Sequence, residues 1–232
     1  MKVVILCGGL GSRLSEETKK IPKPMVSIGN IPILIHIMNI YSKYGHNEFI
    51  LALGYKKDII INYFKNKEFK KWKIKLVDTG YKTLTGKRLL KLKKYLSNDE
   101  NFFLTYGDGV SDVNLKNLIN FHNKFKKVAS VTAVRPPARF GQLEIKKSLV
   151  TNFDEKNQIN TGWINGGFFV FNKKIFKYIP KLNTMLERDT MINLTKKNQI
   201  SAYKHSGFWQ CMDNLRDREL LNAIWKKNNN KW

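Results

Sequence analysis

The sequence predicts a three-layer α/β fold, a mainly parallel sheet with helices on both faces and a smaller β-rich half after about residue 134. Three observations carry that reading. Short β-branched or aromatic runs alternate with longer segments of helical spacing. Two of the runs stop at glycine-bearing turns, Gly8-Gly9 and Gly107-Asp108-Gly109. After Arg135 the alternation gives way to short strand-like pieces.

Residues 2–7 are a β-branched run ended by glycine, the pattern of a buried first strand. Residues 32–44 form a helix, with Ile33, Ile37, Ile40 and Tyr44 on one face. A strand over 48–53 and a helix over 57–64 flank the Gly54-Tyr55 break, and residues 72–77 alternate like a half-buried strand. Residues 87–96 are a basic helix whose Leu89, Leu92 and Leu96 share a core-facing stripe. A strand over 102–106, a helix over 115–125 and a strand over 128–134 follow. Strand-like pieces at 142–145, 149–153 and 166–171 then lead to helices at 173–178, 184–197 and 215–227.

In 232 residues, 42% hydrophobic and 12% aromatic, there is apolar material for one large domain, which excludes global disorder. No apolar run approaches the roughly 20 residues that cross a bilayer. The opening run is broken by glycine too early for a secretory signal. Cys7 and Cys211 make neither a disulfide framework nor a zinc motif, so the expected compartment is the reducing cytoplasm. Lys plus Arg number 42 against 18 acidic residues, a net charge of +24 that points to a polyanionic partner. The basic residues are scattered and no nucleic-acid module accompanies them, so specific nucleic-acid binding is not expected.

Two segments carry chemistry. Gly8-Gly9-Leu10-Gly11-Ser12-Arg13-Leu14 follows the first strand, where a glycine turn lets backbone N–H groups approach phosphate oxygens. A dinucleotide fingerprint requires glycine at position 14, so Leu14 argues against a nicotinamide oxidoreductase, and the Gly-Lys-Ser/Thr of a Walker loop is missing. Arg13 stands there instead, a fixed positive fork suited to a triphosphate. In Ile21-Pro22-Lys23-Pro24-Met25 two prolines stiffen the chain around Lys23, which then has little entropy left to lose.

The glycine loop and Lys23-Pro24-Met25 together resemble the signature of the sugar-phosphate nucleotidyltransferases. Further motifs occur in order along the chain: Asp78-Thr79-Gly80, Thr85-Gly86-Lys87-Arg88-Leu89, Tyr106-Gly107-Asp108-Gly109-Val110, Ile164-Asn165-Gly166-Gly167-Phe168-Phe169 and Gly207-Phe208-Trp209-Gln210 with Met212-Asp213. They resemble the cytidylyltransferase branch, the glucose-1-phosphate cytidylyltransferases. The resemblance implies a Rossmann-like, glycosyltransferase-A-like fold in a single domain over 1–232. A nucleotide lobe would span about 1–134, and an acceptor lobe with C-terminal helices about 135–232. It implies CMP transfer from CTP to a phosphorylated acceptor, with release of pyrophosphate, in cell-surface polysaccharide synthesis.

By the same resemblance Leu6, Gly8, Gly9, Gly11 and Ser12 cradle the nucleotide, Arg13 holds the leaving pyrophosphate and Lys23 stabilises the α-phosphoryl group. Thr85 and Arg88 lie on the nucleotide side. Asp108 and Asp213 hold magnesium, with manganese as a substitute, and Asp112 is read as a cap for the helix at 115. Glu155, Lys156, Asn165 and Gly166 meet the acceptor; Trp209 packs beside it, and Arg139 lies in a further family-like loop. Asn157 replaces the proline of the family's Glu-Lys-Pro element, and the stretch between Phe64 and Leu76 is shorter than in close relatives. A compact branch of the family is similar and uses the same CTP machinery on phosphoglutamine. The shortened chain and Asn157 point toward it, so L-glutamine phosphate is the slightly favoured acceptor, with glucose 1-phosphate as the alternative. A homo-oligomer of unspecified order is expected. The different-class alternative, a non-catalytic nucleotide- or nucleic-acid-binding protein, rests on the charge and the basic helix. The joint presence of Arg13, Lys23, Asp108 and Asp213 argues against it.

Overall fold

A computed structural model describes residues 1–136, 142–154, 162–227 and 232. Seven strands form the central sheet: β1 (Val3–Cys7), β2 (Glu48–Leu53), β3 (Lys73–Asp78), β4 (Asn101–Tyr106), β5 (Ala129–Val134), β6 (Ile164–Asn172) and β7 (Ile200–His205). Their order is β7-β5-β6-β4-β1-β2-β3. Every neighbouring pair is parallel except those made by β6, which runs antiparallel to both β4 and β5.

Strand β1 is apolar throughout, and β2 and β4 are mostly so, because both faces are covered. Val3, Ile5, Phe49, Leu51 and Phe103 point to one side, against α1 (Ile33–Ser42) and buried residues of α2 (Lys57–Lys65), α4 (Leu115–Phe125) and α5 (Leu215–Lys226). Val4, Leu6, Ile50, Phe102 and Leu104 point to the other, against Leu89 of α3 (Thr85–Lys91) and against Leu92 and Leu96. The leucine stripe read from the sequence is fully buried. Among the described residues no helix is long and apolar enough to cross a membrane.

The structure corrects three readings and adds one strand. Helix α1 is buried nearly all round rather than on one face, because it lies under the sheet while also covered by the C-terminal aromatics; Tyr44 falls beyond its end. The helix read at 87–96 breaks after Lys91 and resumes at Lys93–Leu96. Residues 200–205, left unassigned in the sequence, are the edge strand β7. Asp112 caps nothing at α4: Asn114 does, its Oδ1 accepting the Asn117 N–H at 3.0 Å, while Asp112 Oδ1 lies 2.9 Å from His205 Nε2.

The carboxyl ends of the adjacent parallel strands β2, β1 and β4 each run into a glycine, Gly54, Gly8 and Gly107. Open parallel sheets bind ligands along that rim, where successive loops diverge. Beyond Arg135, β6 and β7 complete the central sheet, and Gln142–Lys146 pairs with Leu149–Asp154 in a separate two-stranded sheet.

Candidate active site

The rim opens into a cleft of about 470 Å³. Leu6 lines it from β1, Gly8, Gly9, Gly11 and Ser12 from the loop after β1, and Lys23, Thr85, Arg88 and Asp108 from elsewhere. Gly11 has a φ of +66°, a left-handed conformation that favours glycine, and turns the chain into a short 3-10 turn over Ser12–Leu14. That turn carries Arg13 to the cleft mouth with its side chain 78% exposed.

Lys23 opens a second 3-10 turn, Lys23–Met25, entered from Pro22 at φ −68° and closed by the Met25 N–H donating to the Pro22 carbonyl at 2.8 Å. The turn is buried. Lys23 Nζ donates to Asp108 Oδ2 at 2.8 Å and to Asp213 Oδ1 at 3.0 Å. Burial alone would lower the pKa of this ammonium. The charge of Asp108 and hydrogen bonds to both carboxylates outweigh that and hold it above the ordinary lysine value. Arg13 Nη1 reaches Asp213 Oδ2 at 2.5 Å.

Residues 108 and 213, remote in sequence, meet through a small antiparallel pair. Gly109–Ser111 pairs with Trp209–Cys211, Cys211 facing Gly109, and the Met212 N–H donates to the Asp108 carbonyl at 2.7 Å. Asp213 is then fixed from behind, its N–H donating to Asp217 Oδ2 at 3.0 Å in the first turn of α5. Two cations and two carboxylates therefore converge at one end of the cleft.

Arg88 behaves differently. Its guanidinium is 3% exposed and donates to the carbonyls of Leu53 at 2.6 Å, Gly8 at 3.1 Å and Thr83 at 2.6 Å, and to the Thr79 hydroxyl. It ties the glycine loop to β2 and to the segment before α3. A Cβ on Gly8 would collide with that guanidinium, which is why glycine stands there.

A second, smaller hollow of about 40 Å³ shares Tyr106 and Asp108 with the cleft and is also lined by Asn165, Gly166 and Trp209. β6 bulges between Asn165 and Phe169 against β5, and Gly167 takes a φ of +79°. The bulge places Asn165 with its Oδ1 accepting from Gly167 N–H at 2.8 Å and its Nδ2 donating to the Tyr106 hydroxyl at 3.2 Å. Trp209 Nε1 donates to the Gly166 carbonyl at 2.7 Å. Glu155, Lys156, Asn157 and Arg139 lie outside the described residues.

The structure adds residues that the sequence reading passed over. Glu187, on the turn Leu186–Thr190, also lines the cleft and accepts hydrogen bonds from the Thr85 and Tyr106 hydroxyls, both at 2.6 Å. No local motif marks it, since its partners lie 102 and 81 positions away.

Residues 2–223 match the family model described as nucleotidyl transferase. The chain is 43% identical to the glucose-1-phosphate cytidylyltransferase of Salmonella typhimurium, over all of this chain and 98% of that one. It is 42% identical to the probable glucose-1-phosphate cytidylyltransferase of Bacillus subtilis, over all of this chain and 99% of that one. Both alignments run over 253 positions against 232 residues here, so the relatives hold residues that this chain lacks. Among solved structures, HddC from Yersinia pseudotuberculosis superposes with a TM-score of 0.76 at 26% identity, covering 97% of this chain and 99% of that one. The rim glycines, the braced lysine and the paired aspartates thus sit in a chain that belongs to the nucleotidyl transferase family, in its cytidylyltransferase branch.

Proposed function

We propose that the protein transfers CMP from CTP to glucose 1-phosphate, giving CDP-glucose and pyrophosphate. The observation that carries this is the convergence of Arg13, Lys23, Asp108 and Asp213 at the end of the glycine-loop cleft. A phosphate oxygen of the acceptor attacks the α-phosphorus of CTP in line. One P–O bond forms as the bond to the pyrophosphate bridging oxygen breaks. The attacking oxygen is already ionised, so no general base is needed, and positioning and charge neutralisation remain. The loop from Leu6 to Ser12 binds the triphosphate, Arg13 takes the charge of the departing pyrophosphate, and the permanently charged Lys23 meets the α-phosphoryl oxygens. Thr85 and the framework of Arg88 hold the nucleotide side.

Asp108 and Asp213 fit a magnesium ion. Their oxygens already converge on one cation, the Lys23 ammonium, and magnesium is commonly held by one or two carboxylates with phosphates and water completing its shell. Bound there, the metal would neutralise the triphosphate and polarise the phosphorus under attack. Among the described residues no larger cluster of metal-ligating side chains occurs.

The acceptor is where the sequence reading is revised. The shortened chain and Asn157 point to L-glutamine phosphate, yet relatives at 42–43% identity over essentially their whole length are named for glucose 1-phosphate, which supports the alternative instead. The test is pyrophosphate release from each ribonucleoside triphosphate against a panel of phosphorylated acceptors. Turnover is expected with CTP and glucose 1-phosphate. Silence with that pair, or turnover with L-glutamine phosphate alone, overturns the reading.

A further inference from the structure

Among the described residues, the cleft contains one carboxylate that the transfer chemistry leaves unused. Glu187 accepts through Oε1 from the Tyr106 hydroxyl and through Oε2 from the Thr85 hydroxyl, each at 2.6 Å. Both anchors are committed. Thr85 Oγ1 itself accepts the Leu186 N–H at 2.9 Å, which leaves its single proton for Glu187. Tyr106 accepts from Asn165 Nδ2 at 3.2 Å, and burial with the neighbouring Glu187 charge keeps its hydroxyl protonated, so it remains a donor. The carboxylate is therefore fixed in orientation by two neutral hydroxyls.

A carboxylate offers about four acceptor positions, of which these bonds take two. In a cleft built for phosphates an anionic group repels phosphate oxygens, so what it can gain from a ligand is an O–H or N–H donor. The chain Asn165–Tyr106–Glu187 begins in the smaller hollow and ends in the main cleft, so the carboxylate is tied to Asn165, one of the residues expected to meet the acceptor.

We propose that Glu187 is a specificity-determining residue that receives a hydroxyl of the acceptor's sugar ring. The assignment rests on the reading of the acceptor as a hexose phosphate and adds to it the group that senses the ring. A hydrogen bond to a charged acceptor accounts for about 10- to 100-fold in discrimination.

The experiment is a coupling measurement with the full chain. Wild type, Glu187→Ala and the isosteric Glu187→Gln are assayed for kcat/KM with glucose 1-phosphate, with each monodeoxyglucose 1-phosphate, and with dCTP in place of CTP. Glu187→Ala is expected to lower kcat/KM for glucose 1-phosphate about 10- to 100-fold, through the acceptor's KM, with the KM for CTP within about threefold of wild type. One monodeoxy analogue should cost wild type a similar factor and cost Glu187→Ala nothing further. Glu187→Gln, which keeps an acceptor oxygen, should recover part of the loss. Independent losses with every deoxy sugar, or coupling to dCTP instead, overturn the assignment while leaving the parent reading in place. Wild-type silence with glucose 1-phosphate overturns the parent reading, and the assignment with it.

Discussion

The two banks of the cleft hold their polar groups in opposite ways. On one bank Arg13, Lys23, Asp108 and Asp213 bind one another, cation to carboxylate, and those contacts can be exchanged for a phosphate or a metal ion. On the other, Arg88 donates to backbone carbonyls, and Thr85 and Tyr106 donate their hydroxyl protons to the Glu187 carboxylate. Arg13 and Arg88 make the contrast plain: one is mostly exposed at a loop tip, the other is 3% exposed beneath the same loop. A guanidinium in a phosphate-binding motif can thus be a ligand contact or a strut, and only its partners tell which.

The largest effects are expected where exchange is required. Asp213→Asn should lower kcat about 10³-fold, since it removes both the ion pair to Arg13 and a metal ligand. Lys23→Ala should lower it about 10²- to 10³-fold while nucleotide binding changes little. Steady-state kinetics with a fluorescence titration of the nucleotide separates the two quantities. Retained turnover in either variant would remove that residue from the chemical step and break the contrast between the banks.

How much of this could be read from the sequence follows the same division. The glycine loop and Asp108 sit at the ends of apolar strands and Lys23 sits between two prolines, so local pattern suffices to place them, while the metal role of Asp108 rests on the resemblance. Asp213 needed the resemblance, because its approach to Asp108 depends on the pairing of Trp209–Cys211 with Gly109–Ser111. Glu187 left no trace, as both its partners come from other elements. Ile200–His205 lacks a sequence signal for a different reason. It is an edge strand carrying Ser201, Lys204 and His205, without the apolar run that marked β1, β2 and β4. Helix α1 is legible in the sequence but its all-round burial is not, because periodicity reports the sheet-facing stripe and not the aromatics that cover the other side.

A middle-sized effect is expected from the strut. Arg88→Met removes donors from the carbonyls of Gly8, Leu53 and Thr83 and from the Thr79 hydroxyl while filling similar space. It should cost about 3 kcal/mol of stability, lowering the melting midpoint by about 6–12 °C, with kcat at saturating nucleotide within about tenfold of wild type. Calorimetry and kinetics on one preparation decide it. A variant that melts normally but has lost turnover would move Arg88 to the exchangeable bank.

The smallest effect joins the banks. The Asn214 side chain accepts the Asp217 N–H at 3.0 Å, and Asp217 Oδ2 accepts the N–H groups of Asn214 at 3.2 Å and Asp213 at 3.0 Å, a capping box at the start of α5. Asn214→Ala removes half of the box and should cost about 1 kcal/mol, or about 2–4 °C in melting midpoint. Asp217 keeps its hold on the Asp213 backbone, so the carboxylate stays near Lys23 and kcat should fall by less than about tenfold. A kinetic loss as large as that of Asp213→Asn, with the melt unchanged, would mean that the orientation of Asp213 depends on the cap and not on its ion pairs. The exchangeable bank would then require a rigid support of its own, and the division between groups that move and groups that hold would fall inside α5.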